Sequence, residues 1–132
     1  MTDPRYETVT CPGAAHSDER GRIINVIQNE PIWHVAVITR AEGSVFANHW
    51  HPSDPLATIR DPDQIQRMYL ISGRYKSVSA PVDADGQFTG PPKTFIVEPG
   101  DLTEVGENIG HAYLALEDCV FLNINTHARE AD

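Results

Sequence analysis

Apolar and polar positions along this chain change over in short runs. Eight runs rich in Val, Ile, Phe and Tyr stand between Gly, Pro and Asp punctuation: 22–28, 33–41, 44–51, 66–80, 93–100, 101–106, 110–118 and 119–127. None of them keeps helical apolar spacing for more than about two turns. Many short strands divided by turn signals predict an all-β sandwich or barrel, and roughly eight strands suit a double-sheet jelly roll. Residues 1–20, with Pro4, Pro12 and Gly13, read as an N-terminal arm, and 21–130 as a single domain.

Two loops interrupt the runs. Residues 51–64 carry three prolines and three aspartates directly after a histidine pair. That loop either edges a pocket or is a tolerated insertion. Residues 82–93 read as a hairpin excursion whose Asp85-Gly86 step is a turn signal.

Chemistry enters through the histidines. His49 and His51 stand two apart in a strand-like run, and residues two apart on a strand share a face. His111 lies in a second strand-like run. Three imidazoles gathered inside a β-sandwich point to a divalent-metal site. The plainer alternative is a surface pair with no ligand. His34 and His127 fall outside this arrangement, and His34 is expected to be structural or exposed.

Composition narrows the classes. The 132 residues make one domain. A formal charge of −9 argues against a nucleic-acid partner and against an anionic membrane surface. Cys11 and Cys119 form no disulfide framework. They read as reduced thiols of a cytoplasmic protein, with Cys119 a small core residue. The start MTDPRYETVT lacks a basic region followed by an apolar run, so no signal peptide is expected. No apolar stretch approaches a membrane span.

The spacing of these residues resembles the cupin superfamily. Its first motif, G-x5-H-x-H, is matched by Gly43, His49 and His51, and counting back seven from Gly73 puts Gln66 where the family carries Glu. The second motif, G-x5-P-x-G-x2-H-x3-N, is met by Gly100 and His111, with Gly106 at the Pro position and Ala115 at the Asn position. The likeness runs from about Asp18 to Glu130. It is nearest to the cupins of nucleotide-sugar and capsular-polysaccharide pathways, with the core N-H-W-H as a shared signature, and more distantly to dTDP-4-dehydrorhamnose epimerases.

That resemblance implies a double-stranded β-helix (cupin) jelly roll with an N-terminal arm, commonly a homodimer. It implies one divalent ion (Zn, Fe, Mn or Ni) held by His49, His51, Gln66 and His111. On this reading Val45, Ala47, His49 and His51 face inward, as do Gln66, Met68 and Leu70, and His111, Tyr113 and Ala115. Trp50, Arg67, Tyr69 and Ile71 then lie on the opposite face, under an arm or a second subunit. A neutral Gln in place of Glu leaves the full charge on the ion and makes it a stronger Lewis acid. Alternatively Gln66 supports the site from behind, and Asp54, Asp61 or Asp63 approaches the metal.

The implied activity is isomerisation, epimerisation or lyase chemistry on a small polar carbonyl compound, sugar-like in character. The alternatives are a mononuclear iron dioxygenase and a non-catalytic small-molecule-binding cupin. Tyr113 is the first candidate for proton transfer, against a plain core aromatic. Asp54 is the loop candidate, against a turn former. Arg60, Arg67 and Arg74 are candidates for holding an anionic substrate, although strand parity points Arg67 away from the pocket.

Overall fold

The computed structural model describes residues 5–32, 34–50, 66–106 and 108–125, and of 47–50 the backbone alone. Among them are eleven strands and no helix. They are β1 (Thr8–Thr10), β2 (Ala14–Asp18), β3 (Gly21–Ile24), β4 (His34–Arg40), β5 (Val45–Trp50), β6 (Gln66–Ser72), β7 (Tyr75–Pro81), β8 (Lys93–Val97), β9 (Leu102–Val105), β10 (Ile109–Ala115) and β11 (Cys119–Asn125). All pairings are antiparallel. One sheet runs β1-β9-β6-β11-β4 and the other β5-β10-β7-β8, while β2 and β3 make a separate hairpin.

The all-β double-sheet architecture therefore stands as the alternation of apolar and polar runs predicts. Alternate residues of each strand meet between the sheets. The core there is Met68, Leu70, Tyr75, Val97, Tyr113, Ala115, Cys119 and Phe121, with Ile38 and Phe46 packed against it. Four of its rings interlock, with Phe46 5.2 Å from Tyr113, 5.7 Å from Phe121 and 5.8 Å from Tyr75 between centroids. Cys119 is buried and Cys11 exposed, both as free thiols.

The inward parity expected for β5 needs correction. Val45 is 66% exposed, and Phe46 takes the core position instead. The cause is a β-bulge: β10 pairs His111 with His49 but Tyr113 with Phe46, so β5 carries one extra residue between the two pairs. A bulge sets two residues against one and reverses the parity beyond it. Val45, and not Phe46, consequently faces out.

The segment read as an arm contributes structure of its own. Thr8, Val9 and Thr10 pair with Glu104, Thr103 and Leu102, which adds an edge strand to the five-stranded sheet. The Tyr6 hydroxyl donates to the Pro91 carbonyl oxygen at 2.8 Å, and the Lys93 ammonium lies 4.2 Å from the Tyr6 ring centroid. These contacts draw the segment across the sandwich and bury Tyr6 and Glu7.

Candidate functional site

Register decides which residues share the interior. In the four-stranded sheet one cross-strand row reads His49, His111, Ser79, Lys93. The next reads Phe46, Tyr113, Ser77, Phe95, and the next brings Ala115, Tyr75 and Val97 together. In the facing sheet the matching rows read His34, Asn125, Gln66, Val105, then Ala36, Asn123, Met68, Thr103, then Ile38, Phe121, Leu70. Residues directly opposite on antiparallel strands share a face. The interior is thus graded from an aromatic end to an end bearing imidazoles and amides.

His111 is buried at 3% exposure, and its ring centroid stands 5.3 Å from that of Tyr113. His49 is its cross-strand partner. Two of the three expected histidines therefore stand opposite each other in the backbone register of β5 and β10. His51 and Asp54 lie outside the described residues, as do Asp61, Asp63, Arg60 and His127. Among the described residues no group of three or more His, Cys, Asp or Glu is arranged to hold a metal ion.

Gln66 opens β6 at this end. Its side-chain amide donates to Asn123 Oδ1 at 2.8 Å. Its own carbonyl oxygen is buried and has no hydrogen-bond partner among the described residues, and the same holds for Asn125 Oδ1 on the neighbouring strand. Met68 and Leu70 follow Gln66 on the inward face, as the sequence reading expected. Arg67 points the other way and meets Glu30 at 3.2 Å and Glu104 at 3.8 Å. Arg74 is paired with Glu117. Both arginines are engaged by carboxylates. His34 is exposed, as expected, yet its register puts it in the Asn125–Gln66 row.

Tyr113 is inward, and its hydroxyl donates to Glu7, as does the Ser77 hydroxyl. The Glu7 backbone N–H donates to Ser79 Oγ at 3.2 Å. Glu7 is 1% exposed. Burial pushes its carboxyl up to about 7 against the two hydroxyl hydrogen bonds that favour the ionised form. The same burial, followed by the Glu7 charge beside it, holds the Tyr113 phenol well above its usual range. A carboxyl that changes charge near neutrality is suited to proton transfer. Sequence reasoning missed Glu7 because it sits in the presumed arm. The β-branched run Thr8-Val9-Thr10 was the available signal that this stretch is a strand.

No family model and no curated protein matches the chain. Solved structures do. The dTDP-4-dehydrorhamnose 3,5-epimerase from Sulfolobus tokodaii superimposes with a TM-score of 0.71 at 17% identity, covering 95% of this chain and 72% of that one. A 3'-monoepimerase from Streptomyces bikiniensis, in complex with dTDP-quinovose, gives 0.70 at 16% identity over 94% of this chain and 65% of that one. A 3,4-ketoisomerase variant from Thermoanaerobacterium thermosaccharolyticum, in complex with TDP, gives 0.67 at 16% identity, covering 94% of this chain and 82% of that one. Likeness at this identity establishes the fold, an RmlC-like cupin jelly roll, and the resemblance read from the histidine and glycine spacing holds at that level.

Proposed function

We propose that this chain is a carbohydrate epimerase or isomerase acting on a keto-sugar. The observation that carries the reading is the cross-strand pairing of His49 with His111 at the polar end of an RmlC-like jelly roll. The similarity to a dTDP-4-dehydrorhamnose 3,5-epimerase and to a 3'-monoepimerase in complex with dTDP-quinovose supports a sugar substrate. A fold alone hosts many chemistries, so the residues bear the rest of the argument.

Epimerisation beside a carbonyl needs a proton removed from carbon, the electron pair moved to the carbonyl oxygen, and a proton returned on the opposite face. Tyr113 and Glu7 supply a linked acid and carboxyl. In this reading Asp54 takes the proton from carbon, the Tyr113 hydroxyl gives its own to the developing oxyanion and protonated Glu7 restores it. As the carbonyl reforms, the proton on oxygen returns through Tyr113 to Glu7, and water protonates the carbon on the opposite face. Asp54 remains the candidate of the loop after His51.

A divalent ion belongs to the same reading, held by His49, His51 and His111. Two of these positions are cross-strand partners, and neutral imidazole nitrogens are the donors such an ion prefers, so the residues fit it. When bound, the ion supplies Lewis-acid polarisation of the carbonyl. A homodimer also belongs to it. Val45, Leu114, Lys76 and Ile96 form one outward row across the four-stranded sheet, with Val45 66% and Ile96 47% exposed.

The test is solvent exchange. The protein is incubated in D2O with a 4-keto-6-deoxyhexose, free and dTDP-linked, before and after metal stripping. Deuterium should enter at the carbons beside the carbonyl, and His111→Ala should abolish it. No deuterium above the His111→Ala background with either substrate refutes the reading. Dioxygen consumption by the iron-loaded protein would favour a dioxygenase instead.

A further inference from the structure

The polar end has two walls, and the chemistry above uses only one. The second is the row His34, Asn125, Gln66 on the five-stranded sheet, with Asn123 one step inward. Its amides are not arranged to satisfy one another. Gln66 spends its amide N–H on Asn123, which fixes the side chain and leaves the Gln66 carbonyl oxygen open. Asn125, directly across from Gln66, buries an equally open carbonyl oxygen.

Buried polar atoms normally have partners, and leaving an acceptor unpaired costs about 1–3 kcal/mol. Two on directly opposed residues is a concentrated cost. Their Cβ atoms stand about 4.5–5.5 Å apart on such a pair. Both open atoms are neutral acceptors, so the missing partner brings two adjacent donors and needs no charge. A vicinal diol does this. An anion does not, because it brings no donors. An imidazole-preferring metal ion has its own ligands on the other sheet and answers only one of the two.

We propose that Gln66 and Asn125 form a hydroxyl-reading subsite that accepts hydrogen bonds from two neighbouring hydroxyls of a sugar ring, with Asn123 as the positioning residue that orients Gln66. The proposal rests on the reading above only in taking a sugar as ligand. It adds a specificity wall facing the imidazoles, and it assigns the Gln66 oxygen to substrate instead of metal.

The experiment measures three quantities on the full chain: binding of a panel of free hexoses and 6-deoxyhexoses by saturation-transfer NMR, zinc bound per chain after loading and dialysis, and Tm. The variants are Asn125→Leu and Gln66→Met, which keep shape and remove the acceptors. Asn125→Leu should keep or raise Tm, because it removes an unpaired buried oxygen, while weakening sugar binding about tenfold. Gln66→Met should do the same to binding. Zinc content should be unchanged in both. Binding of a sugar lacking the hydroxyl that Asn125 reads should be equally weak in wild type and Asn125→Leu. Unchanged sugar affinity overturns the proposal, as does a fall in zinc content, which would make the amides metal ligands. No sugar binding by wild type overturns it too. Sugar binding without deuterium exchange would refute the epimerase reading and leave this subsite standing.

Discussion

Glu7 is the residue on which electrostatics and packing meet most directly. Its carboxyl is buried between β1, β7 and β10 and accepts hydrogen bonds from Ser77 and Tyr113, with no cation among its hydrogen-bond partners in the described residues. Its affinity for a proton is higher folded, about 7, than at its ordinary value of 4.5. Stability from this group is therefore fully present below about 4.5 and is lost as pH rises through 7. Each tenfold change in proton affinity is worth about 1.4 kcal/mol, so the loss between those limits is about 3 kcal/mol. Glu7→Gln, which stays neutral, should flatten this slope. Urea midpoints at pH 5 and pH 8 check it: wild type should be distinctly weaker at pH 8, and the variant should lose most of that difference. Equal slopes in the two proteins would mean that the Glu7 carboxyl is already ionised in the native state at pH 5. None of this was legible in the sequence. Glu7 and Tyr113 lie 106 residues apart and meet only through long-range pairing.

Turns and strands carry the family spacing, and here the sequence was informative. Gly43 and Gly73, picked out by the motif, both adopt φ of +86°. They differ in surroundings. A Cβ on Gly43 would meet nothing within 4 Å, whereas one on Gly73 would come 2.2 Å from the Asp118 carbonyl oxygen and 2.9 Å from Cys119 Cα. Gly43→Ala should cost only the left-handed strain, about 1–2 kcal/mol. Gly73→Ala adds a backbone collision at the β6–β7 turn and should cost clearly more, about 3 kcal/mol or above. Chemical denaturation of the two variants ranks them, and equal losses would mean the β6–β7 turn shifts freely. The bulge in β5 left no such mark. Ala47 and Asn48 carry no glycine between the two pairings, so strict alternation put Val45 inside and its neighbour outside. The extra residue is set by how β10 aligns with β5, a partner more than 60 positions away. The amide row was hidden for the same reason: Gln66 was visible through its place in the motif, but Asn125 and His34 join it only through strand register.

At the scale of the molecule, burial is strongly asymmetric between faces. The interior closes around an aromatic cluster, while the outer face of the four-stranded sheet leaves Val45 and Ile96 exposed along with Phe88 at 73%. Exposed apolar residues in one row suit an interface between copies. Sedimentation should report a two-chain mass at micromolar concentration, and Val45→Asp with Ile96→Asp should shift it to one chain with Tm little changed. A single-chain mass for the parent would remove the dimer from the account. The excess of acidic residues, 19 against 10 basic, belongs to this scale too. It should keep the protein off heparin resin at low salt.

The docking of β1 on β9 has a temporal side. Residues 8–10 leave the ribosome early, but their partners at 102–104 follow more than 90 positions later. Until those partners emerge, Glu7 has no sheet edge to bring it to Tyr113, itself made later still, and the Ser77 hydroxyl waits without its carboxyl. A stretch made more than 90 positions before its partners is thus among the last to be seated, and Glu7 reaches Tyr113 only when those two distant strands have found each other.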